Sequence, residues 1–451
     1  MTGRRTVLSF LMKAALFLSA LFLFAVFPGA LSCPETPRAE SVLVYNLEND
    51  TVLYRKTSKE GRINAGDASP SIYPASTAKI MTALIALEHY DSLESTVTVT
   101  SEMIKNVTGN NIALKKGEEL SVGDLLKAVI VGGANDAANV LAFDISGNQA
   151  DFVRKMNEKA REIGMEHTNY TNPYGIHNNS MTTTLDDTLL LAVAAFRNAV
   201  FTEISSLAKV EIPATSLSKA RTVHNRNALL SRARETKYYT ENVIGMNAGS
   251  TEEAGNCLIT ARMDRGLSFL CIVMGAEETE EEGIWSYLYA RELLDWAQDA
   301  YSYLPLIDKA AMICELPVAL SADTDHVTLR PQTTMEKYLP SDTDLAEEIS
   351  YTYRVFEEEL AAPVEAGEVV GEMTLFYQGE EIGKIGLITN NSVDRTEFLY
   401  LLHRIELVVT SKPFLIAATL LVILILFFLL AVSRRRAVMQ AQARGKKKRK
   451  Y

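Results

Sequence analysis

Two side chains three residues apart, Ser76 and Lys79, lie in the run Tyr73-Pro74-Ala75-Ser76-Thr77-Ala78-Lys79-Ile80-Met81-Thr82-Ala83-Leu84. A hydroxyl becomes a nucleophile when a nearby base takes its proton, and an uncharged amine can be that base. On a helix this spacing puts the amine on the same face as the hydroxyl, one turn above it. Ser-x-x-Lys alone is a weak signal, because it recurs at Ser206–Lys209 and Ser216–Lys219. Two later stretches strengthen the first. Gly133-Ala134-Asn135 presents an amide that both donates and accepts. Asn247-Ala248-Gly249 presents a glycine, which lets a ligand come close to the backbone.

These residues need elements to hold them. Pro74 and Ala75 lead into good helix formers ending near Tyr90, which predicts Ser76 at or just inside a helix N-terminus, where negative charge is favoured. Leu120–Ile130 and Asp136–Ile145 have helical apolar spacing and are broken by Val131-Gly132-Gly133, so Asn135 belongs to a loop between helices. Ser41–Tyr54 alternates as two strands around Glu48-Asn49-Asp50. Ala150–Ile163 and Thr183–Asn198 read as helices, Val210–Thr222 as strand-like and Val243–Met246 as a strand. A hairpin over Cys257–Ala261 and Leu267–Met274 and a helix from Ile284 to Tyr301 follow. Early strands, enclosed helices and a late antiparallel set predict one α+β domain over residues 38–304. After Pro305, short alternating runs separated by Gly, Pro, Asp and Asn predict a small all-β, sandwich-like domain over residues 306–395. Glu397–Val408 reads as a helical stalk.

The two ends predict topology. Residues 1–32 read as a signal peptide, with Arg4, Arg5 and Lys13, an apolar run and Ala30-Leu31-Ser32 as cleavage site. Cys33 raises the alternative of a lipidated cysteine, although the residues before it fit that signal poorly. Phe414–Val432 is nineteen uncharged residues, roughly 28 Å as a helix, which predicts a transmembrane helix over residues 413–432. Nine basic residues follow it, so residues 433–451 are expected to be a cytoplasmic tail and the body to lie outside the cell membrane. The net charge is −11, and three cations before the first apolar run and nine after the second are the only charges at the ends. Without those twelve the exported body carries about −23, which argues against nucleic acid as a partner. Four cysteines are few for an exported protein, and Cys257 and Cys271 are expected to be unpaired core thiols. No Cys/His spacing resembles a metal site, and nothing calls for a cofactor.

In their order and spacing the three stretches resemble Ser-x-x-Lys, Ser-x-Asn and Lys-Thr-Gly, the signatures of the low-molecular-weight penicillin-binding proteins. These are serine D-alanyl-D-alanine carboxypeptidases, and the resemblance is to those of the DacF type. Ala134-Asn135-Asp136-Ala137-Ala138, Asn172-Pro173-Tyr174-Gly175, Asn225-Arg226-Asn227 and Thr251-Glu252-Glu253-Ala254-Gly255 also match family segments. So does Ala362-Pro363-Val364-Glu365-Ala366-Gly367-Glu368-Val369-Val370-Gly371, and the resemblance spans about residues 38–395.

The resemblance implies a transpeptidase-like fold, an antiparallel sheet with a helical subdomain. It also implies a mechanism in which Ser76 attacks the penultimate D-Ala carbonyl of a peptidoglycan stem peptide, with Lys79 as base. The N–H groups of Ser76 and Ser250 would form the oxyanion hole. Asn135 would hold the substrate amide and orient Lys79, Arg226 would help bind the terminal carboxylate, and Asn247 and Gly249 would border the substrate. β-Lactams would act as suicide ligands. Two motifs depart from the pattern: Gly133 stands in place of a serine, and Asn247-Ala248 in place of Lys-Thr. Without the motif cation, more of Lys79 is expected to stay protonated near pH 7. The departures leave open a pseudoenzyme that binds wall peptides or wall-synthesis partners, or an esterase acting on a neutral substrate. Ser76 could also be a helix cap, Asn135 a loop residue satisfying the backbone, and Arg226 the partner of an acid.

Overall fold

A computed structural model describes residues 32–57, 70–232 and 236–447. The proposed signal peptide falls almost wholly outside these residues, as do the last four residues of the basic tail. The described chain divides into two compact units between Tyr301 and Ser302.

The first unit is built on a five-stranded antiparallel sheet, in the order Thr51–Thr57, Ser41–Asn46, Leu267–Ala276, Gly255–Asp264, Val243–Thr251. The central strand Leu267–Ala276 is buried from Ser268 onward, which explains its unbroken apolar run in place of alternation. The helix Trp285–Ala300 packs on this strand, and Leu185–Arg197 also contacts it. Helices Lys79–His89, Val122–Ile130, Asn135–Ser146 and Gln149–Glu162 pack together as a helical lobe sharing one core with the sheet. Lys79–His89 is the centre of that lobe, with its residues Lys79 through Ala86 all buried.

Several boundaries differ from the sequence reading. Glu119–Ser121 is a short strand paired with Thr96–Thr98, and the helix begins only at Val122, where the Ser121 hydroxyl accepts from Asp124 N. The segment read as strand-like over Val210–Thr222 is a hairpin of Lys209–Ile212 and Arg221–His224. The strand expected over Val243–Met246 continues to Thr251 and carries the whole third motif. Cys257 and Cys271 are both buried and neither is in a disulfide.

The second unit holds a six-stranded sheet, Ile349–Val355, Val369–Tyr377, Glu380–Thr389, His326–Pro331, Cys314–Ala319 and Leu360–Ala361 in order, and a pair formed by Tyr301–Ile307 and Met335–Pro340. One core gathers Leu316, Val318, Val327, Leu329 and Val364; a second gathers Met373, Leu375, Ile385 and Leu387 against Leu306, Ile307 and Met335. After the sheet come helices Glu397–Thr410 and Lys412–Lys447. The stretch Lys412–Gln440 contains an 18-residue window with a mean hydropathy of 3.3, none of which is buried. It is long and apolar enough to cross a membrane.

Candidate active site

Pro74 opens a single 3-10 turn, Ala75–Ala78, and Lys79 is the first residue of the α-helix behind it. Ser76 thus sits on the tighter turn, half-buried, with its hydroxyl at the mouth of a cleft. Lys79 is 1% exposed, and its Nζ lies 3.0 Å from Ser76 Oγ and 2.6 Å from the Tyr174 carbonyl to which it donates. Burial first, and then the positive charge of Arg226, push the Lys79 pKa down to about 7. Burial, the larger cause, lowers the value without the motif cation that the sequence lacks. A lysine removed from water does not need the motif cation to become a base, and Arg226 supplies a cation as well.

The partner of Lys79 is delivered by Asn172-Pro173-Tyr174-Gly175. Asn172 Oδ1 accepts from the N–H groups of Tyr174, Gly175 and Ile176 at 3.3, 2.7 and 3.1 Å, folding the segment into a tight turn. Thr82 Oγ1, one turn up the helix from Lys79, donates to Pro173 O at 2.6 Å and fixes the turn against the helix. Gly175 lies at φ +80°, and a Cβ there would meet Ala75 O at 1.8 Å. Ala75 itself has φ +47°, a conformation that costs a residue with a side chain about 1–2 kcal/mol. The turn pressed against it holds the nucleophile's neighbour in that shape.

Asn135 is the first residue of its helix, 5% exposed, rather than part of a loop. Its Nδ2 donates to Thr108 O at 2.7 Å, while its buried Oδ1 has no partner among the described residues. Lys79 is oriented by the Tyr174 carbonyl and not by a hydrogen bond from Asn135. Next to it, Asp136 accepts from Ile112 N at 3.1 Å and Leu114 N at 3.0 Å, clamping the 110–114 segment beside the cleft. Gly133 lies at φ +65°, and a Cβ there would stand 3.2 Å from Arg226 Cγ. The missing side chain leaves room for the arginine stem.

Arg226 is held from both sides. Asn225 Nδ2 donates to Ser205 O and Leu207 O, and Asn227 Nδ2 to Thr260 Oγ1 at 3.0 Å. Its own N–H donates to Val131 O at 3.0 Å, and its carbonyl accepts from Tyr287 Oη at 2.9 Å. The guanidinium is exposed and forms no ion pair among the described residues, which leaves its charge available to a ligand.

The facing wall is the edge strand Val243–Thr251. Gly249 approaches Ser76 so closely that a Cβ on it would lie 2.4 Å from Ser76 Cβ and 2.7 Å from Oγ. The glycine makes room for the nucleophile itself, not only for a ligand. Ala248, Gly249 and Ser250 line the cleft. Asn247 does not; it is buried, follows a bulge in the strand, and its Oδ1 has no partner among the described residues. The cleft has a volume of about 320 Å³ and brings together Ser76, Asn135, Arg226, Gly249 and Ser250, with Lys79 behind Ser76. The residues missed from sequence are Tyr174, Gly175 and their organiser Asn172. The signal was an Asn-Pro-x-Gly turn, but nothing local tied it to a lysine 95 positions earlier.

Comparison with known proteins agrees with this geometry. The family model described as D-alanyl-D-alanine carboxypeptidase matches residues 32–278, and that of the penicillin-binding protein 5 C-terminal domain matches residues 319–395. The D-alanyl-D-alanine carboxypeptidase DacF of Bacillus subtilis is 26% identical over 84% of this chain and 92% of its own. DacB2 of Mycobacterium tuberculosis, of the same description, is 30% identical over 59% of this chain and 84% of its own. The crystal structure of penicillin binding protein 5 from Haemophilus influenzae shares the fold, with a TM-score of 0.55 and 23% identity over 80% of this chain and 99% of that one.

Proposed function

The chain belongs to the D-alanyl-D-alanine carboxypeptidase family, and from that premise we propose that it is a serine hydrolase trimming the D-alanyl-D-alanine terminus of peptidoglycan stem peptides. Ser76 Oγ attacks the carbonyl of the penultimate D-Ala while neutral Lys79 Nζ takes its proton and hands it to the departing amine. The N–H groups of Ser76 and Ser250 receive the oxyanion, and water then hydrolyses the ester. The free Oδ1 of Asn135 accepts from the substrate amide, and Arg226 takes the terminal carboxylate. Gly249 gives Ser76 its clearance, and Asn247 supports this wall from beneath. β-Lactams acylate the same serine.

One observation carries the reading: a buried amine with a pKa near 7 stands 3.0 Å from a hydroxyl at the mouth of a cleft. A fluorescent penicillin should label the full-length protein, D-alanine should be released from a pentapeptide, and Ser76→Ala should lose both. Folded protein that does neither overturns the proposal in favour of a pseudoenzyme that binds wall peptides.

The assignment extends to location and domains. Residues 38–304 form the catalytic domain and 306–395 the sandwich-like β domain. The span at 413–432 anchors them outside the membrane, with Arg434, Arg435 and Arg436 on the cytoplasmic side. Protease added outside spheroplasts should digest the body and spare a tag on the C-terminus; the reverse would refute the topology.

A further inference from the structure

The edge of a sheet presents a row of N–H and C=O groups that can pair with another chain, and folded proteins usually guard it. Of the four edge strands of the two large sheets, three are protected. Thr51–Thr57 carries Arg55 and Lys56, Val243–Thr251 is interrupted by a bulge and borders the cleft, and Leu360–Ala361 is two residues long. The fourth, Ile349–Val355, ends the six-stranded sheet, runs in unbroken register against Val369–Tyr377, and contains no proline or lysine.

The register tells which groups point outward. The Glu348 carbonyl accepts from Gln378 N–H at 2.9 Å, and Phe356 N–H donates to the Val370 carbonyl at 2.9 Å, so the even-numbered residues turn toward the sheet. The N–H and C=O groups of Ile349, Tyr351, Tyr353 and Val355 therefore point away from it, to a side where no strand lies among the described residues. Tyr351 and Tyr353 stand opposite Leu375 and Met373, which are 0% exposed, yet they are themselves 48% and 49% exposed. The apolar layer of the sheet thus runs on to its last strand and is left uncovered there.

Charge decides what can cover it. Glu347 and Glu348 precede the strand, Glu357, Glu358 and Glu359 follow it, and Arg354 is the one charge within it. A second copy paired antiparallel would set Glu347 against Glu357, and one paired parallel would set each acidic end against itself. We propose that this edge binds an extended segment of another protein, with apolar residues at alternate positions and Lys or Arg at both ends. The segment joins the sheet as a further strand through the outward N–H and C=O groups. Its alternate apolar side chains cover Tyr351 and Tyr353, and its cations meet the acidic ends.

The test titrates a fluorescent peptide of alternating threonine and valine, with two lysines at each end, into the full-length protein in detergent micelles. Two comparison peptides carry glutamates in place of the lysines, or N-methyl groups on every core amide. The lysine peptide should bind, and each comparison peptide should bind more weakly by about tenfold or more. Binding should weaken with added salt and should slow amide exchange across residues 349–355. Tyr351→Pro removes an outward N–H that the sheet does not use, at a place where an edge strand accepts proline, and should weaken binding by about tenfold or more. Glu357→Lys combined with Glu359→Lys leaves the strand untouched; it should weaken the lysine peptide about tenfold and strengthen the glutamate peptide. Circular dichroism and the unfolding temperature report whether each variant is folded. No binding, equal binding of the lysine and glutamate peptides, or unchanged binding by folded Tyr351→Pro overturns the proposal. So does an unchanged preference for lysine in the doubly reversed protein. Self-association of the wild type that either variant abolishes would make a second copy the occupant and overturn it as well.

Discussion

The two walls of the cleft are built on opposite terms. On the Ser76 side the polar side chains are tied into one network: Lys79 Nζ between a hydroxyl and a carbonyl, Thr82 tied to Pro173, and Asn172 gathering three N–H groups. On the Val243–Thr251 side the side chains are nearly bare of chemistry. Ala248 has none to offer, Asn247 holds a buried acceptor with no partner among the described residues, and beside the hydroxyls of Ser250 and Thr251 the wall offers backbone: the clearance of Gly249 and the N–H groups of the strand. The difference teaches that the two walls answer to different constraints. The nucleophile is made by a buried lysine whose position depends on many contacts, so loss of any one is costly. The facing wall acts through its main chain, which any residue supplies, so its side chains can change while Arg226 brings a cation from a third direction.

The hardest test of the contrast is on the Ser76 side. Lys79→Ala removes the base that, among the described residues, lies within hydrogen-bonding reach of Oγ, and should slow acylation of Ser76 by about 10²–10⁴-fold, read as the rate of penicillin labelling. Residual labelling within tenfold of wild type would mean that the base lies elsewhere and that the contrast is misplaced. On the opposite wall the same severity is expected only where the backbone itself matters. Gly249→Ala puts a methyl carbon 2.4 Å from Ser76 Cβ, so the strand or the nucleophile turn must move by about an ångström, which should cost about a hundredfold in labelling rate. Asn247→Ala, by contrast, should lower it by less than about threefold; a loss as large as that of Gly249→Ala would show that this side chain still takes part.

How much of this was legible beforehand follows the same division. Ser76, Lys79 and Gly249 could be read because helix geometry and the need for a bare α-carbon are local facts. The carbonyl of Tyr174 could not, since its partner is 95 residues away. The state of Lys79 was only half legible for a related reason: the absence of a lysine at 247 is visible in the sequence, but burial of Lys79 is a property of the packed lobe and is the larger cause of its lowered pKa. The fold was easier, because the long helices announce themselves by periodicity and the central strand by its unbroken apolar run. Its short pieces, such as Glu119–Ser121 and the 3-10 turn at Ala75–Ala78, carry too few residues for a period to emerge.

Arg226 sharpens the comparison because it serves both walls. Its loss removes a charged hydrogen bond to the substrate carboxylate, worth about 1.5–3 kcal/mol, so Arg226→Gln should lower kcat/KM about ten- to a hundredfold, mostly through KM. It also removes a positive charge that favours neutral Lys79. Since the active base is the unprotonated form, the rate of wild type should rise with pH through about 7, and the rise in Arg226→Gln should be displaced to higher pH. A lower kcat/KM with an unmoved midpoint would confine Arg226 to substrate binding and leave burial as the sole cause of the lysine's pKa.

The smallest effect is expected where repair looks most natural. Gly133 stands where the family pattern has serine, and restoring the hydroxyl would be the obvious way to raise activity. The backbone at 133 has φ +65°, which costs a residue with a side chain about 1–2 kcal/mol. The new Cβ would also stand 3.2 Å from Arg226 Cγ and press on the stem of that cation. Gly133→Ser should therefore lower thermal stability by a few degrees and change labelling by no more than a few fold, without the gain that the motif suggests. If the serine raised the rate tenfold at unchanged stability, the arginine would have to be free to step aside. The glycine would then be a loss the site has tolerated, not the space that lets Arg226 serve both walls.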